Sequence, residues 1–106
     1  MKKASLAVSL SATTLVEDIT YDVIEARVRA VDEYGNQLYY MQESLSVTIS
    51  GPVELIGPNA VPLRGGATGL YIKSMGEQGE ASVTIACAGL DPVTIKLEVQ
   101  STREDN

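Results

Sequence analysis

Apolar and polar residues alternate along most of this chain, and this alternation constrains the fold more than any other feature. Successive side chains of a β-strand point to opposite faces, so a period of two gives one apolar face and one polar face. The clearest alternating runs are 6–10, 24–30, 45–49, 70–73, 83–87 and 93–100. No window of the sequence shows a sustained helical period. The pattern predicts antiparallel strands that are covered on one side only.

Turn-forming residues separate these runs. Glycine and proline cluster at 51–58, 65–66, 76–79 and 88–92, and Gly35 and Asn36 can take a positive φ after the second run. Strands that recur about every ten residues are typical of a β-sandwich and not of βαβ units. With the short apolar piece 53–56, the sequence predicts about seven principal strands in an all-β, immunoglobulin-like antiparallel β-sandwich.

Two further interpretations concern the strands themselves. We interpret the piece around 13–16 as the second half of the first strand, switching from one sheet to the other. The inward positions of the runs define the expected core: Val28, Val47, Ile49, Ile72, Val83, Ile85, Ile95 and Leu97.

Cys87 continues the apolar face of its run, so we interpret it as a small core residue. A reactive thiol is the alternative, although the chain has no histidine to activate it.

The length of 106 residues corresponds to one domain. We expect a single sandwich over 1–106, with an ordered core at 4–100 and a polar, frayed tail at 101–106. After Lys3 the sequence alternates and does not form a continuous apolar stretch, so we expect no signal peptide. We also expect no membrane partner, because no apolar run approaches the roughly 20 residues of a membrane helix.

The composition excludes several classes of function. The chain contains no His, which removes the Ser-His-Asp triad, His-ligated metal sites and His acid–base catalysis. Eight basic residues stand against fourteen acidic ones, giving a net charge of −6. A field of this sign repels phosphate backbones, so we expect no nucleic-acid partner.

Carboxylates are the remaining catalytic side chains. Glycoside hydrolysis needs two of them about 5 to 10 Å apart across a cleft. Glu54, Glu77 and Glu80 lie beside predicted turns on a small convex fold, so we interpret them as surface acids. We therefore expect no catalytic residue.

Acidic turns also raise the question of calcium. Asp18 and Asp22 flank one turn, and Asp32, Glu33 and Asn36 lie in another. Neither has the dense spacing of a calcium loop. Because Asp and Asn commonly cap backbone groups in turns, we expect neither a metal site nor a cofactor.

Several stretches together resemble one family. They read YD at 21–22, VRAVDEYGNQL at 28–38, GPVELIGP at 51–58, LRGGATGLYIKS at 63–74 and GEQGEA at 76–81. In this order they resemble the immunoglobulin-like accessory domain found near the C-terminus of many bacterial glycoside hydrolase family 2 enzymes of the beta-galactosidase type. That domain is akin in fold to invasin/intimin-like modules. The resemblance extends from about Ala4 to Val99.

The resemblance implies a non-catalytic domain from a larger glycosidase, with the other domains of that enzyme as its partners. The family's catalytic glutamates belong to a separate barrel domain, and no position here matches their motifs. Val53 stands where the family usually has glycine, so we expect a different local turn. A carbohydrate-binding module or an adhesin-type repeat is the alternative, with weak or no direct carbohydrate binding expected.

Residues that are larger and more apolar than a turn requires are candidates for interdomain contact. They are Tyr34, Tyr39, Tyr40, Leu55 and Ile56. Interdomain surfaces recruit exposed aromatic and apolar side chains at sheet ends. For Leu55 and Ile56 the alternative is that they close the open end of the sandwich. We expect Tyr39 or Tyr40 to be partly exposed in the isolated domain and buried in the intact enzyme.

Overall fold

The computed structural model describes residues 4–17 and 21–101, and these residues form nine strands and no helix. The strands are β1 Ala4–Leu10, β2 Thr14–Glu17, β3 Val23–Asp32, β4 Ser44–Ser50, β5 Val53–Ile56, β6 Ala60–Pro62, β7 Ala67–Ser74, β8 Gly79–Cys87 and β9 Val93–Ser101. Seven of them are the predicted strands. The short strands β2 and β6 raise the count to nine.

The strands form two packed sheets. The first has the order β1-β3-β7-β5 and the second the order β2-β9-β8-β4-β6. The first corresponds to the ABED sheet of an immunoglobulin-like sandwich, and β4, β8 and β9 correspond to its CFG sheet. The all-β, immunoglobulin-like sandwich is therefore confirmed. One pair departs from the antiparallel prediction, because β2 runs parallel to β9.

The start of the chain changes sheets between β1 and β2, as the sequence predicts. β1 pairs with β3 in the first sheet, and β2 pairs with β9 in the second. Two backbone hydrogen bonds hold the crossing segment. The N–H of Ser11 donates to the carbonyl of Glu25 at 2.9 Å, and the N–H of Glu98 donates to the carbonyl of Thr13 at 3.1 Å.

The core lies between the sheets and consists of the inward positions of the alternating runs. Seven of the eight expected core residues are buried, and Ile49 is only partly buried against them. The reason lies in the pairing of β4. Its neighbour β6 pairs only with Ser44, Leu45 and Ser46, so Ile49 lies where the edge of the sheet is open.

A polar cluster with two buried members, which the sequence did not indicate, joins the two sheets at one end. Glu17 of β2 is fully buried, and its Oε1 accepts the N–H of Gly76 at 2.7 Å. Asp22 accepts the N–H of Val16 through Oδ2 at 2.9 Å. The N–H of Asp22 donates to Ser74 Oγ at 3.0 Å, and Ser74 is also buried. These bonds fix the end of β2 to the end of β7.

The last strand is longer than expected. Ser101 ends β9 in register with Glu17, so it belongs to the sheet and not to a frayed tail. The remainder of the predicted tail, 102–106, lies outside the described residues. A helix long and apolar enough to cross a bilayer is absent from the described part of the chain.

Candidate interdomain surface

The connection between β3 and β4, residues 33–43, carries all three candidate tyrosines and is called the tyrosine connection below. Its first turn is organised by Asp32, whose Oδ1 accepts the N–H groups of Tyr34 and Asn36 at 2.9 Å each. Gly35 supplies the positive φ of the turn, at +82°. Because the backbone is held in this way, the ring of Tyr34 points outward and is 81% exposed.

Tyr39 and Tyr40 lie on a second turn of the same connection. The N–H of Met41 donates to the carbonyl of Leu38 at 3.1 Å and closes this turn. Leu38 is buried, whereas Tyr39 and Tyr40 are 72% and 71% exposed. The chain is not extended here, so both rings can face solvent. Exposure of one of the two was expected, and the structure exposes both rings; their contact role stays a prediction.

The tyrosine connection is fastened to the loop before β7. The N–H of Gly66 donates to the carbonyl of Met41 at 3.1 Å, and the carbonyl of Gly66 accepts the N–H of Ala30 at 2.8 Å. Gln37 Nε2 donates to the carbonyl of Gly65 at 2.8 Å. The exposed rings therefore stand on a fixed backbone, which lowers the entropy that a docking contact would cost.

Leu55 and Ile56 lie on the edge strand β5, apart from the tyrosine connection. Leu55 packs against the core, while Ile56 is 49% exposed in register with Tyr71. Ala67 begins β7, directly after the loop that is bonded to the tyrosine connection. Tyr71, and with it Ile56, lies four residues further along β7, which corresponds to about 13 Å. The five candidate residues thus do not form one patch, and Leu55 fits the alternative of closing the core.

The outer face of the first sheet carries apolar residues that sequence reasoning missed. Tyr71, Tyr21 and Val23 are each about half exposed there, like Ile56. Lys73 Nζ lies 5.3 Å from the centroid of the Tyr21 ring. A signal was present in the sequence, since Tyr71 occupies an outward position of an alternating run, where a polar residue is usual.

The acidic residues serve structural roles or face solvent. Glu54 Oε1 pairs with Lys73 Nζ at 3.0 Å, and Glu25 Oε1 pairs with Arg27 Nε at 3.1 Å. Exposed ion pairs of this kind contribute little to stability. Within 4–17 and 21–101, no three or more His, Cys, Asp or Glu side chains are grouped closely enough to hold a metal ion. Asp18, one of the acids considered for calcium, lies outside the described residues.

Val53 begins β5 and is buried. The positive φ of this turn falls on Gly51, at +98°, and Val53 has none. The N–H of Val53 donates to the carbonyl of Gly51 at 2.9 Å. A β-branched residue is therefore accommodated as the first residue of the strand.

Cys87 is buried at the end of β8, as expected of a core residue. Burial, and then the charge of Glu43, raises the pKa of its thiol above the ordinary value of 9.0. Above pH 9 the unfolded chain loses the thiol proton, whereas the folded state keeps it. The contribution of Cys87 to the free energy of unfolding is therefore fully present below pH 9 and falls as the pH rises through the higher pKa of the folded state.

We expect Cys87 to react slowly with iodoacetamide at pH 8 in the folded chain and rapidly in 6 M guanidinium, because only the thiolate is nucleophilic. Mass spectrometry of the alkylated protein measures both rates. Equal rates under the two conditions would show that the thiol is accessible in the fold.

The comparisons with known proteins agree with this architecture. A family model described as glycoside hydrolase family 2 C-terminal domain 5 matches residues 6–96. The chain is 30% identical over 66 residues to a beta-galactosidase of Rhizobium radiobacter, covering 62% of this chain and 48% of that protein. It is 39% identical over 54 residues to a beta-galactosidase of Thermoanaerobacterium thermosulfurigenes, covering 51% of this chain and 8% of that protein.

Solved structures share the fold. A glycosyl hydrolase family 2 member from Bacteroides cellulosilyticus superposes with a TM-score of 0.86 at 18% identity, covering 94% of this chain and 14% of that one. A beta-glycosidase from Bacteroides vulgatus gives a TM-score of 0.82 at 21% identity, covering 90% and 14%. The chain spans about half the length of the first relative and a small part of the others.

The sandwich and its sequence define a small C-terminal domain of the kind found in family 2 glycosidases. The chain belongs to the glycoside hydrolase family 2 C-terminal domain 5 family. The resemblance to a family 2 accessory domain is thereby confirmed.

Proposed function

We propose that this chain is a structural domain of a larger family 2 glycoside hydrolase of the beta-galactosidase type, of the invasin/intimin-like immunoglobulin kind. The proposed domain comprises 1–106, with its core extended from 4–100 to include Ser101 of β9. The observation that carries the proposal is the family match over 6–96, together with the small share of the Thermoanaerobacterium beta-galactosidase that the chain covers. Catalysis in such an enzyme is then the task of another domain.

The partners in this proposal are the other domains of the parent enzyme, and the tyrosine connection is the proposed contact. Tyr34, Tyr39 and Tyr40 are strongly exposed on a backbone fixed by Asp32 and Gly66. Tyrosine is enriched at protein interfaces because its ring buries a large apolar area while its hydroxyl keeps a polar partner. Ile56 is a second contact on the outer face of the first sheet.

Direct carbohydrate binding is proposed to be weak or absent. Sugar platforms favour flat rows of broad rings, and this chain has no Trp. Tyr34, Tyr39 and Tyr40 occupy two separate turns. The net charge of −6 supports the further proposal that nucleic acid is not a partner.

An activity assay tests the non-catalytic role. We expect the purified 106-residue chain to give no turnover of an aryl galactoside, because two carboxylates facing each other across a cleft are needed for this reaction. The control is the intact parent enzyme under the same conditions. Turnover that persists through further purification and tracks with the 106-residue chain would contradict the proposal.

A double substitution tests the proposed contact. We expect Tyr39→Ser with Tyr40→Ser to leave the melting temperature of the isolated domain nearly unchanged, since both rings are exposed. In the intact enzyme the same variant should loosen docking and speed limited proteolysis at the boundary before Ala4. Lys96→Ser, at an exposed position of β9 in the second sheet, is the control, because it lies on neither proposed contact. Identical cleavage rates in wild type and double variant would show that these rings form no interface.

A further inference from the structure

Strand β1, Ala4–Leu10, forms one edge of the first sheet. Within the described residues it pairs with β3 on one side and with no strand on the other. Its sequence, ASLAVSL, contains neither a charged residue nor a proline. An edge strand with free N–H and C=O groups and no such protection is a template for pairing with another strand.

The three other edge strands are each protected. β5 is four residues long and carries Glu54, paired with Lys73. β6 is three residues long and ends in Pro62. β2 is four residues long and carries an inward-pointing charge, Glu17. Short length, proline and charge are the means by which proteins keep sheet edges from pairing. The seven-residue β1 lacks all three.

The inward side chains of β1 also reach the open edge. Leu6 is buried, but Val8 and Leu10 are only partly buried although they pack against the core. A strand laid beside β1 would cover the flanks of these two residues. The free edge therefore presents unpaired backbone groups and apolar surface at the same place.

The sequence of β1 is close to palindromic about Ala7. Its outward positions are Ser5, Ala7 and Ser9, and the two inward positions that flank Ala7 are Leu6 and Val8. A second copy running antiparallel and centred on Ala7 would place Ala7 opposite Ala7 of the partner subunit. It would likewise place Ser5 opposite Ser9 of the partner subunit, and Leu6 opposite Val8 of the partner subunit. Small polar residues then meet outside, and apolar residues meet inside.

The arginines of the neighbouring strand β3 do not oppose this approach. Among the residues that the structure describes, the basic side chains nearest to β1 on the outer face are Arg27 and Arg29 of β3, in register with Ser9 and Ala7. The two Arg29 side chains would be separated by three interstrand spacings, about 14 Å. That distance exceeds the Debye length of about 8 Å at physiological ionic strength, so their repulsion is screened.

We infer that β1 pairs with β1 of a second copy of this chain, antiparallel and centred on Ala7, so that two four-stranded sheets join into one of eight strands. The inference goes beyond the proposed domain role and does not depend on it. A twofold pairing of this kind is closed, so it yields a dimer and not a fibre. One strand pair buries less than the roughly 1,200 Å² of stable interfaces, so the dimer is a weak one that forms at high concentration.

Two double variants test both the strand and its register. In the proposed dimer, Ser5 faces Ser9 of the partner subunit, and by symmetry Ser9 faces Ser5 of the partner subunit. Ser5→Lys with Ser9→Lys therefore places like charges together, whereas Ser5→Lys with Ser9→Glu creates two opposite-charge pairs. Sedimentation equilibrium at about 10 μM and about 1 mM spans the range of a weak complex. We expect wild type and the Lys/Glu variant to become dimeric at the higher concentration and the Lys/Lys variant to remain monomeric.

Cross-linking provides an independent readout. Ala7→Cys places two thiols opposite each other at a Cα separation of about 4.5 to 5.5 Å, which suits a disulfide. Ser5→Cys is the matched control, since its own counterpart would lie about 13 Å away along the strand. We expect mild oxidation to cross-link the first variant and not the second, with the buried Cys87 taking no part.

Three results would overturn the inference. A wild-type chain that is monomeric at about 1 mM has no such pairing at any relevant strength. Equal association of the Lys/Lys and Lys/Glu variants would show a dimer that does not use β1. Equal cross-linking of Ala7→Cys and Ser5→Cys would exclude the register. Circular dichroism and thermal melting of each variant verify that the exposed substitutions leave the fold intact.

Discussion

Replacing Gly66 by Ala should destabilise the domain by about 3 kcal/mol or more, because two costs add. Gly66 has φ +81°, which L residues with a side chain rarely adopt. A Cβ at this position would also collide with the carbonyl group of Leu38. The neighbouring backbone cannot yield easily, since Gly66 is bonded to both Ala30 and Met41. Urea denaturation followed by circular dichroism measures the loss.

Gly65→Ala is the matched control for this effect. Gly65 also has a positive φ, +59°, but nothing lies within 4 Å of a Cβ there. We expect it to lose only the cost of the backbone conformation, about 1 to 2 kcal/mol. If the two variants lose the same stability, the close approach of Gly66 to Leu38 has no energetic weight.

Ile85→Ala should cost about 2 to 5 kcal/mol through lost transfer free energy and the cavity left behind. Ile85 is fully buried on β8, in register with Val47 on one side and Val93 on the other. Because β8 is paired on both sides at Ile85, the backbone around the site cannot collapse readily. Thermal and urea unfolding of the isolated chain provide the measurement.

Ile56→Ala is the same chemical change at a half-exposed position and serves as the control. We expect its effect to stay near 0.5 kcal/mol, as is usual for surface substitutions. A variant Ile85→Ala that melts like the parent would mean that the inward face of β8 is misassigned. A loss at Ile56 as large as at Ile85 would show that β5 carries more of the core than its burial indicates.

The strands and their inward faces could be predicted from the sequence because each depends on local alternation. The change of sheets after β1 was also visible, as apolar residues resume at Leu15 after a polar interruption. The parallel pairing of β2 with β9 was not, since register between distant strands depends on tertiary packing. Burial of Glu17 escaped prediction for the same reason: its partner Gly76 lies 59 residues further along the chain.

The candidate surface was predictable in part. The exposure of a tyrosine at 39 or 40 was predictable because these residues lie in a segment between two strands, where large side chains often face solvent. The separation of Ile56 from the tyrosine connection required knowledge that β5 pairs with β7. Tyr71 was predictable in principle, because it occupies an outward position of an alternating run, where a polar residue is usual.

Hydroxyl-radical footprinting tests the central claim, that this chain is a structural domain docked through its tyrosine connection in a family 2 glycosidase. Oxidation of the peptide spanning 33–43 is measured by mass spectrometry in the isolated chain and in the intact parent enzyme. We expect Tyr39 and Tyr40 to oxidise rapidly in the isolated chain and several-fold more slowly in the intact enzyme. Equal oxidation rates for Tyr34, Tyr39 and Tyr40 in both preparations would contradict the account.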